Sequence, residues 1–325
     1  MEIEDAVFSG KIDTIRPTAG EIGKAFRVDD ALGRYVEFVK ASFPKGMMLE
    51  GMRVVADTAN GATYKSTPWI LRELGAEVIT LNNQPDGTNI NANCGSTHPE
   101  VIGQAVVQYR ADVGISHDGD GDRVILADEH GKIVDGDIIL AATALDFLKN
   151  GTLSGKTLVA TVMSNLALDH TIEKSGGKVV RTDVGDRYVI EKMIELDANL
   201  GGEQSGHIIF RDFTTTGDGI ISALQILRIM RSSGKKLSEL AQCMTLYPQV
   251  LMNLKVKTKP ALSEVPGLMD EVRRTEKALG SGGRVLLRYS GTEPKIRLLI
   301  EGQDRGEIEQ HAQNITRKLQ ETIAK

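Results

Sequence analysis

The chain has 325 residues, 41% of them hydrophobic and 26% charged, with a net charge of -5. That length exceeds what one hydrophobic core serves, so two to three domains are expected. A mildly acidic chain without a basic stripe excludes an electrostatic footprint for nucleic acid or an anionic membrane surface, and its apolar runs fall far short of a bilayer span. The 34 glycines and single Trp suit an α/β protein with many tight strand–helix turns better than a β-sandwich. Cys94 and Cys243 match no zinc spacing, and reduced thiols are their plainer reading. Residues 1–10 are mixed and acidic, unlike a signal peptide, so a cytoplasmic protein is expected.

In chain order, residues 21–43 place Ile22, Ala25, Val28, Leu32, Tyr35, Phe38, Val39 and Phe43 near helical spacing, which predicts one amphipathic helix ended by Pro44 and Gly46. Met52 to Ala56 reads as a buried strand, followed by an Asn60-Gly61 turn and a helix over 64–74 with Gly75 where a C-cap belongs. Strands at 77–81 and 111–115 flank a helix at 99–109, and the second strand runs into Asp118-Gly119-Asp120-Gly121-Asp122-Arg123. The pattern restarts with helices near 136–149 and 165–175 and strands at 157–162 and 178–182. A further helix follows Gly185-Asp186-Arg187, a short strand ends at Gly201-Gly202, and a long helix covers 219–230. Beyond Tyr247-Pro248 the order changes to a strand at 250–257, a helix at 263–279, strands at 284–288 and 295–301, and a last helix. The fold expected is two related α/β domains with mixed, mainly parallel sheets, plus a smaller C-terminal α+β domain. Boundaries are expected near 138 and 249, dividing 21–138, 139–249 and 250–325, with 1–20 left as a linker.

Four segments carry chemistry. Asp118, Asp120 and Asp122 alternate with glycines, so three carboxylates can aim at one point, where their repulsion calls for a hard cation such as Mg²⁺ or Ca²⁺. The blander reading is a solvated acidic turn. An EF-hand is excluded because Arg123 stands where that loop requires Gly. Arg288-Tyr289-Ser290-Gly291-Thr292-Glu293-Pro294-Lys295-Ile296-Arg297 puts two hydroxyls around a glycine and an arginine on each neighbouring strand, suited to an anion or to a plain polar hairpin. Gly202-Glu203-Gln204-Ser205-Gly206-His207 can turn a carboxylate and a hydroxyl one way, toward sugar hydroxyls, although a hairpin with a structural histidine would read alike. Gly185 opens a helix whose N–H groups favour anions, with Arg187 beside it and Asp186 as a candidate cap.

These four segments, in this order, resemble the α-D-phosphohexomutase family across essentially the whole chain. The resemblance implies Mg²⁺ on Asp118, Asp120 and Asp122, with Arg123 beside it. It implies substrate contacts at Gly185, Arg187, Glu203, Ser205 and His207, and a phosphate site at Arg288, Ser290, Gly291, Thr292 and Arg297. Asn89 to His98 and Thr214 to Gly219 look most like the branch that interconverts glucosamine 6-phosphate and glucosamine 1-phosphate on the route to UDP-N-acetylglucosamine. The partner implied is a phosphorylated hexosamine, with no nucleic acid and no membrane. Family members donate the phosphoryl group from a serine in a Ser-His-Asn-Pro segment of a first domain. Here Ser116-His117 is followed by Asp118 and is not that segment, so no catalytic residue is assigned, and residues 1–20 resemble the passage out of a first domain. Ligand binding without turnover is therefore expected of these residues alone. The competing readings are a sister mutase for glucose or mannose phosphates and a non-catalytic phosphosugar-binding protein. A Mg²⁺-dependent phosphatase would leave the two downstream loops without a role.

Overall fold

A computed structural model describes residues 2–256, 258–290 and 294–322. Two short helices, α1 (Glu2–Phe8) and α2 (Lys11–Thr14), lead into a solvent-exposed stretch and then α3 (Ala31–Lys40). The helix expected over 21–43 is thus confined to ten residues. Ile22, Phe26 and Val28 are exposed, and an amphipathic segment gains little from helix formation without a surface to pack against. From Ala31 onward Val36 and Val39 are buried, and there the helix holds.

The first sheet follows from β1 (Arg53–Asp57), α4 (Ser66–Glu73), β2 (Glu77–Leu81), α5 (Pro99–Tyr109) and β3 (Val113–His117). β1 pairs in parallel with β2 on one side and β3 on the other. Two further strands, β4 (Val124–Ala127) and β5 (Ile133–Val134), add antiparallel pairings, giving the order β2-β1-β3-β4-β5. The sequence reading passed over both. All four residues of β4 are buried, so no alternation marks it.

The second unit runs α6 (Gly136–Asn150), β6 (Thr157–Thr161), α7 (Leu166–Lys174), β7 (Lys178–Thr182), α8 (Asp186–Glu195), β8 (Leu200–Gly202), β9 (Ile208–Phe210), α9 (Gly219–Ser233) and α10 (Leu237–Ala241). Its order, β7-β6-β8-β9 with only β9 antiparallel, repeats the first four places of the other sheet. The expected pair of related, mainly parallel α/β units is what folds. Asp135 and Asp218 cap α6 and α9 by accepting from backbone N–H groups in the first turn, and Gly151 and Gly234 close them in the left-handed conformation. Both helices are buried on nearly every side, as helices clamped between two layers must be. One continuous apolar core, from Val36 to Met244, therefore serves both units.

The last unit has its own core. It comprises β10 (Gln249–Lys255), α11 (Leu268–Leu279), β11 (Arg284–Tyr289), β12 (Lys295–Glu301) and α12 (Arg305–Thr322), with an antiparallel sheet in the order β10-β12-β11. The helix expected from 263 begins instead at Leu268, because Pro266-Gly267 separates it from a single turn at Leu262–Glu264. The helices cover the sheet face bearing Ile296, Leu298 and Ile300. The opposite face carries Glu301, Leu299, Arg297 and Lys295 along its central strand.

One end of that face is pinned to the second unit. Glu301, with no exposed surface, pairs with Arg284 and accepts from Gln249 Nε2 at 2.5 Å and Leu166 N at 3.4 Å. Arg284 also donates to the Ser164 carbonyl at 2.6 Å. Replacing Arg284 by Ala strands a buried carboxylate, which costs about 3–5 kcal/mol. The expected outcome for Arg284→Ala is a separate, lower-temperature unfolding step in calorimetry and faster protease cleavage near 247–249.

Candidate functional site

The acidic loop joins β3 to β4 and is tied from within. Asp118 Oδ1 accepts from Gly121 N at 3.2 Å and Arg123 N at 3.1 Å. The carboxylate oxygens of Asp118, Asp120 and Asp122 come within 4.8 Å of one another. Burial, a hydrogen bond to Asp120 and the charge of Asp122 push the Asp118 carboxyl up to about 7. Asp122 Oδ1 is buried with no hydrogen-bond partner among the described residues. Arg123 is the near cation, its Nε 3.5 Å from Asp118 Oδ2 and 3.8 Å from Asp122 Oδ1. An oxygen-only trio with an orphaned, desolvated acceptor is a set that a hard divalent cation completes.

The second unit closes over this loop. Val124 N donates to the Gly206 carbonyl at 3.1 Å and Gly219 N to the Gly121 carbonyl at 3.0 Å, while Arg123 and His207 form an isolated bridge. Gly206 has φ +90°, and a Cβ there would lie 2.1 Å from the Val124 carbonyl oxygen, so the loop Glu203–His207 reaches the acidic loop only because that position is glycine. His207, expected at the sugar, is instead buried against the acidic loop, its Nε2 3.4 Å from Asp122 Oδ2.

Glu203 and Ser205 face a cleft of about 400 Å³ lined also by Asp135, Thr161, Met163, Val184 and Gln204. Glu203 Oε1 accepts from Gly185 N at 3.0 Å, and Ser205 Oγ donates to Glu203 Oε2 at 3.2 Å. The anion at the start of α8 is thus the chain's own Glu203 carboxylate, which is how Gly185 joins the site. Arg187 does not line the cleft. It is exposed and paired along α8 with Glu191 at 2.8 Å.

In the C-terminal unit Arg288 and Arg297 stand directly opposite on β11 and β12. Two like charges in that register repel, and Arg288 Nε is buried without a hydrogen-bond partner among the described residues. Ser290 is buried, its N–H bonded to the Lys295 carbonyl and its own carbonyl to Lys259 Nζ at 2.8 Å. Gly291 and Thr292 lie outside the described residues.

These features meet three family models in chain order. Residues 33–131 match the phosphoglucomutase/phosphomannomutase alpha/beta/alpha domain II, residues 135–247 its domain III, and residues 251–318 its C-terminal domain. The chain belongs to the phosphoglucomutase/phosphomannomutase family. Within that family it is most similar to phosphoglucosamine mutases. It is 55% identical to one from Geobacter metallireducens over 323 residues, covering 99% of this chain and 72% of that protein. To one from Pelobacter propionicus it is 55% identical over 315 residues, covering 97% and 70%. A phosphoglucomutase/phosphomannomutase family protein from Burkholderia thailandensis shares the fold with a TM-score of 0.80 at 21% identity, over 100% of this chain and 72% of that one. Aspergillus fumigatus N-acetylphosphoglucosamine mutase, solved with GlcNAc-6P and magnesium, does so with a TM-score of 0.73 at 21% identity, over 92% and 67%. By family the chain is an isomerase of the phosphohexose mutase type. Among the described residues no helix is long and apolar enough to cross a membrane.

The sequence reading missed Asp135 and Asp137, whose only signal was their place ahead of an apolar helical run. Asp137 is wholly buried. Burial and the neighbouring Asp135 charge push its carboxyl up to about 7, against the Asn165 N–H it accepts at 2.7 Å. A carboxyl raised in the fold stabilises the protein below its unfolded value near 4, and that contribution is lost as pH climbs through 7. Asp137→Asn keeps an acceptor for Asn165 and never ionises. Its melting temperature should exceed wild type by little at pH 4 and by roughly 5 °C at pH 8, measured by differential scanning fluorimetry.

Proposed function

We propose that this chain carries the metal-, sugar- and phosphate-binding machinery of a mutase interconverting glucosamine 6-phosphate and glucosamine 1-phosphate. Residues 21–138 contribute the metal loop, 139–249 the sugar loop and 250–325 the phosphate cradle. The observation that carries this reading is the direct joining of the acidic loop to the second unit, Val124 N to Gly206 O in the Glu203 loop and Gly219 N at the start of α9 to Gly121 O. That joining puts a cation site and a hydroxyl-binding carboxylate on one rigid body. The hexosamine substrate is favoured by the names of the relatives at 55% identity. It is favoured also by the placement of the two branch-like stretches, since Asn91 N bonds to the Ala59 carbonyl beside the metal loop and Gly217 lies against the His207 ring.

In this reading Asp118, Asp120 and Asp122 hold Mg²⁺, which supplies neutralisation of charge as a phosphoryl group transfers. Arg123, beside Asp118 and Asp122, offers a guanidinium to a phosphate oxygen. Glu203 accepts from two vicinal sugar hydroxyls, its orientation fixed by the Gly185 N–H. Arg288, Arg297, Ser290, Gly291 and Thr292 take the phosphate that is not transferred. Arg288 Nε, buried without a hydrogen-bond partner among the described residues, is a donor that a phosphate oxygen would satisfy. Free Cys94 and Cys243 suit a reducing, cytoplasmic setting.

These 325 residues contain no Ser-His-Asn-Pro segment, and the covalent route requires its nucleophile. Calorimetry should therefore show Mg²⁺-assisted binding of glucosamine 6-phosphate to residues 1–325, tighter than glucose 6-phosphate, with no conversion to the 1-phosphate in a coupled assay. Measurable turnover, or equal affinity for inorganic phosphate and the sugar phosphate, sinks the reading. Glu203→Gln should weaken sugar phosphate binding about tenfold by replacing charged hydrogen bonds with neutral ones. Arg288→Ala should weaken sugar phosphate and inorganic phosphate alike.

A further inference from the structure

His117 is the last residue of β3 and stands immediately before the aspartate trio. Its ring has no exposed surface, an unusual place for an imidazole. On one side Nδ1 lies 3.2 Å from the carbonyl oxygen of Arg123, and on the other Nε2 lies 3.0 Å from Thr67 Oγ1 on α4. A carbonyl oxygen only accepts, so Nδ1 carries the hydrogen. Nε2 is then the acceptor, and the Thr67 hydroxyl donates to it. The residue that enters the acidic loop therefore holds the residue that leaves it.

We propose that His117 is a positioning residue for the metal loop, a brace that fixes the six-residue turn Asp118–Arg123 from beneath while leaving all three aspartates free for a cation. The reason such a brace matters lies in the other ties. Asp118 Oδ1 accepts from Gly121 N and Arg123 N, so in the resting loop a metal ligand doubles as a structural acceptor. An oxygen that turns toward a cation weakens those two bonds. The His117 bond to the Arg123 carbonyl involves no carboxylate and survives that change.

The surroundings shield this bond from water. A Cβ added at Gly219, at the start of α9, would lie 2.4 Å from the Arg123 carbonyl oxygen and 2.7 Å from His117 Nδ1. The second α/β unit thus closes directly over the hydrogen bond. From the other side Thr67, only 1% exposed, excludes solvent from Nε2. A hydrogen bond sealed on both faces has no competing water, and its loss leaves a buried carbonyl unsatisfied.

The consequence for metal affinity rests on the reading of the trio as a magnesium site, whereas the brace rests on contacts alone, and the test separates the two. An asparagine amide nitrogen overlays Nδ1 of histidine, and a glutamine amide nitrogen overlays Nε2. His117→Asn therefore keeps the donor to Arg123, whereas His117→Gln loses it and keeps only a partner for Thr67, whose hydroxyl would accept from the amide N–H instead of donating. Two readouts apply to purified protein: hydrogen–deuterium exchange of amides 118–124 without metal, and Mg²⁺ or Mn²⁺ affinity by calorimetry. His117→Gln should raise loop exchange and weaken metal binding, each about tenfold, while His117→Asn stays near wild type in both. Equal behaviour of the two variants in both readouts overturns the brace, since a merely space-filling histidine would be missed alike in either. If wild type binds neither cation, the magnesium reading falls and the exchange contrast still decides the brace. Should either variant fail to fold, the wild-type imidazole decides by 15N NMR: a slowly exchanging hydrogen on Nδ1 is expected, and a ring protonated at Nε2 alone overturns the proposal.

Discussion

Three carboxylates within 4.8 Å of one another are the constraint around which this molecule is arranged. Left alone in a turn they would push the turn open. Here the loop is roofed and floored by neutral groups, chiefly Gly121 N and Arg123 N donating to Asp118, His117 beneath Arg123, and Gly219 N above Gly121. Burial first, then the hydrogen bond to Asp120 and the charge of Asp122, holds the Asp118 carboxyl above its ordinary range. The fold gathers these three charges in one place.

The two α/β units explain how such a loop is held from both sides. Each sheet has a central strand flanked by two parallel partners, with an antiparallel strand beyond. The acidic loop joins β3 to β4 in the first, and the Glu203–His207 loop joins β8 to β9 in the second, so the two occupy equivalent places in related sheets. Helices α6 and α9, buried nearly all round, weld the units through one core. Domain family labels divide these units, while the apolar packing unites them. The acidic loop and the Glu203–His207 loop are consequently joined through one packed body.

The C-terminal unit is attached differently. Its own core is separate, and its tether is polar, with buried Glu301 held by Arg284, Gln249 and Leu166 N. The facing pair Arg288 and Arg297 lies toward the other end of the same sheet face.

Much of this was legible from the residues. Strands at 77–81 and 178–182 and the helix at 99–109 fall where periodicity put them, because their apolar spacing and caps are local signals. Local patterning failed where partners decide. Ile22 and Val28 have helical spacing but no surface to bury against, and β4 has no alternation because both its faces are covered. The aspartate trio, the Glu203 loop and the facing arginines were readable as chemistry, since charge and glycine spacing are written in the chain. That His207 serves Asp122 rather than the cleft, that Gly185 holds Glu203, and that Arg187 turns to Glu191 were settled only by the fold. Sequence determined which groups exist and how closely each loop can turn. Tertiary structure decided which loops meet, because hydrogen bonds such as Val124 N to Gly206 O join residues far apart in the chain that only the packing of α6 and α9 between the two sheets brings together.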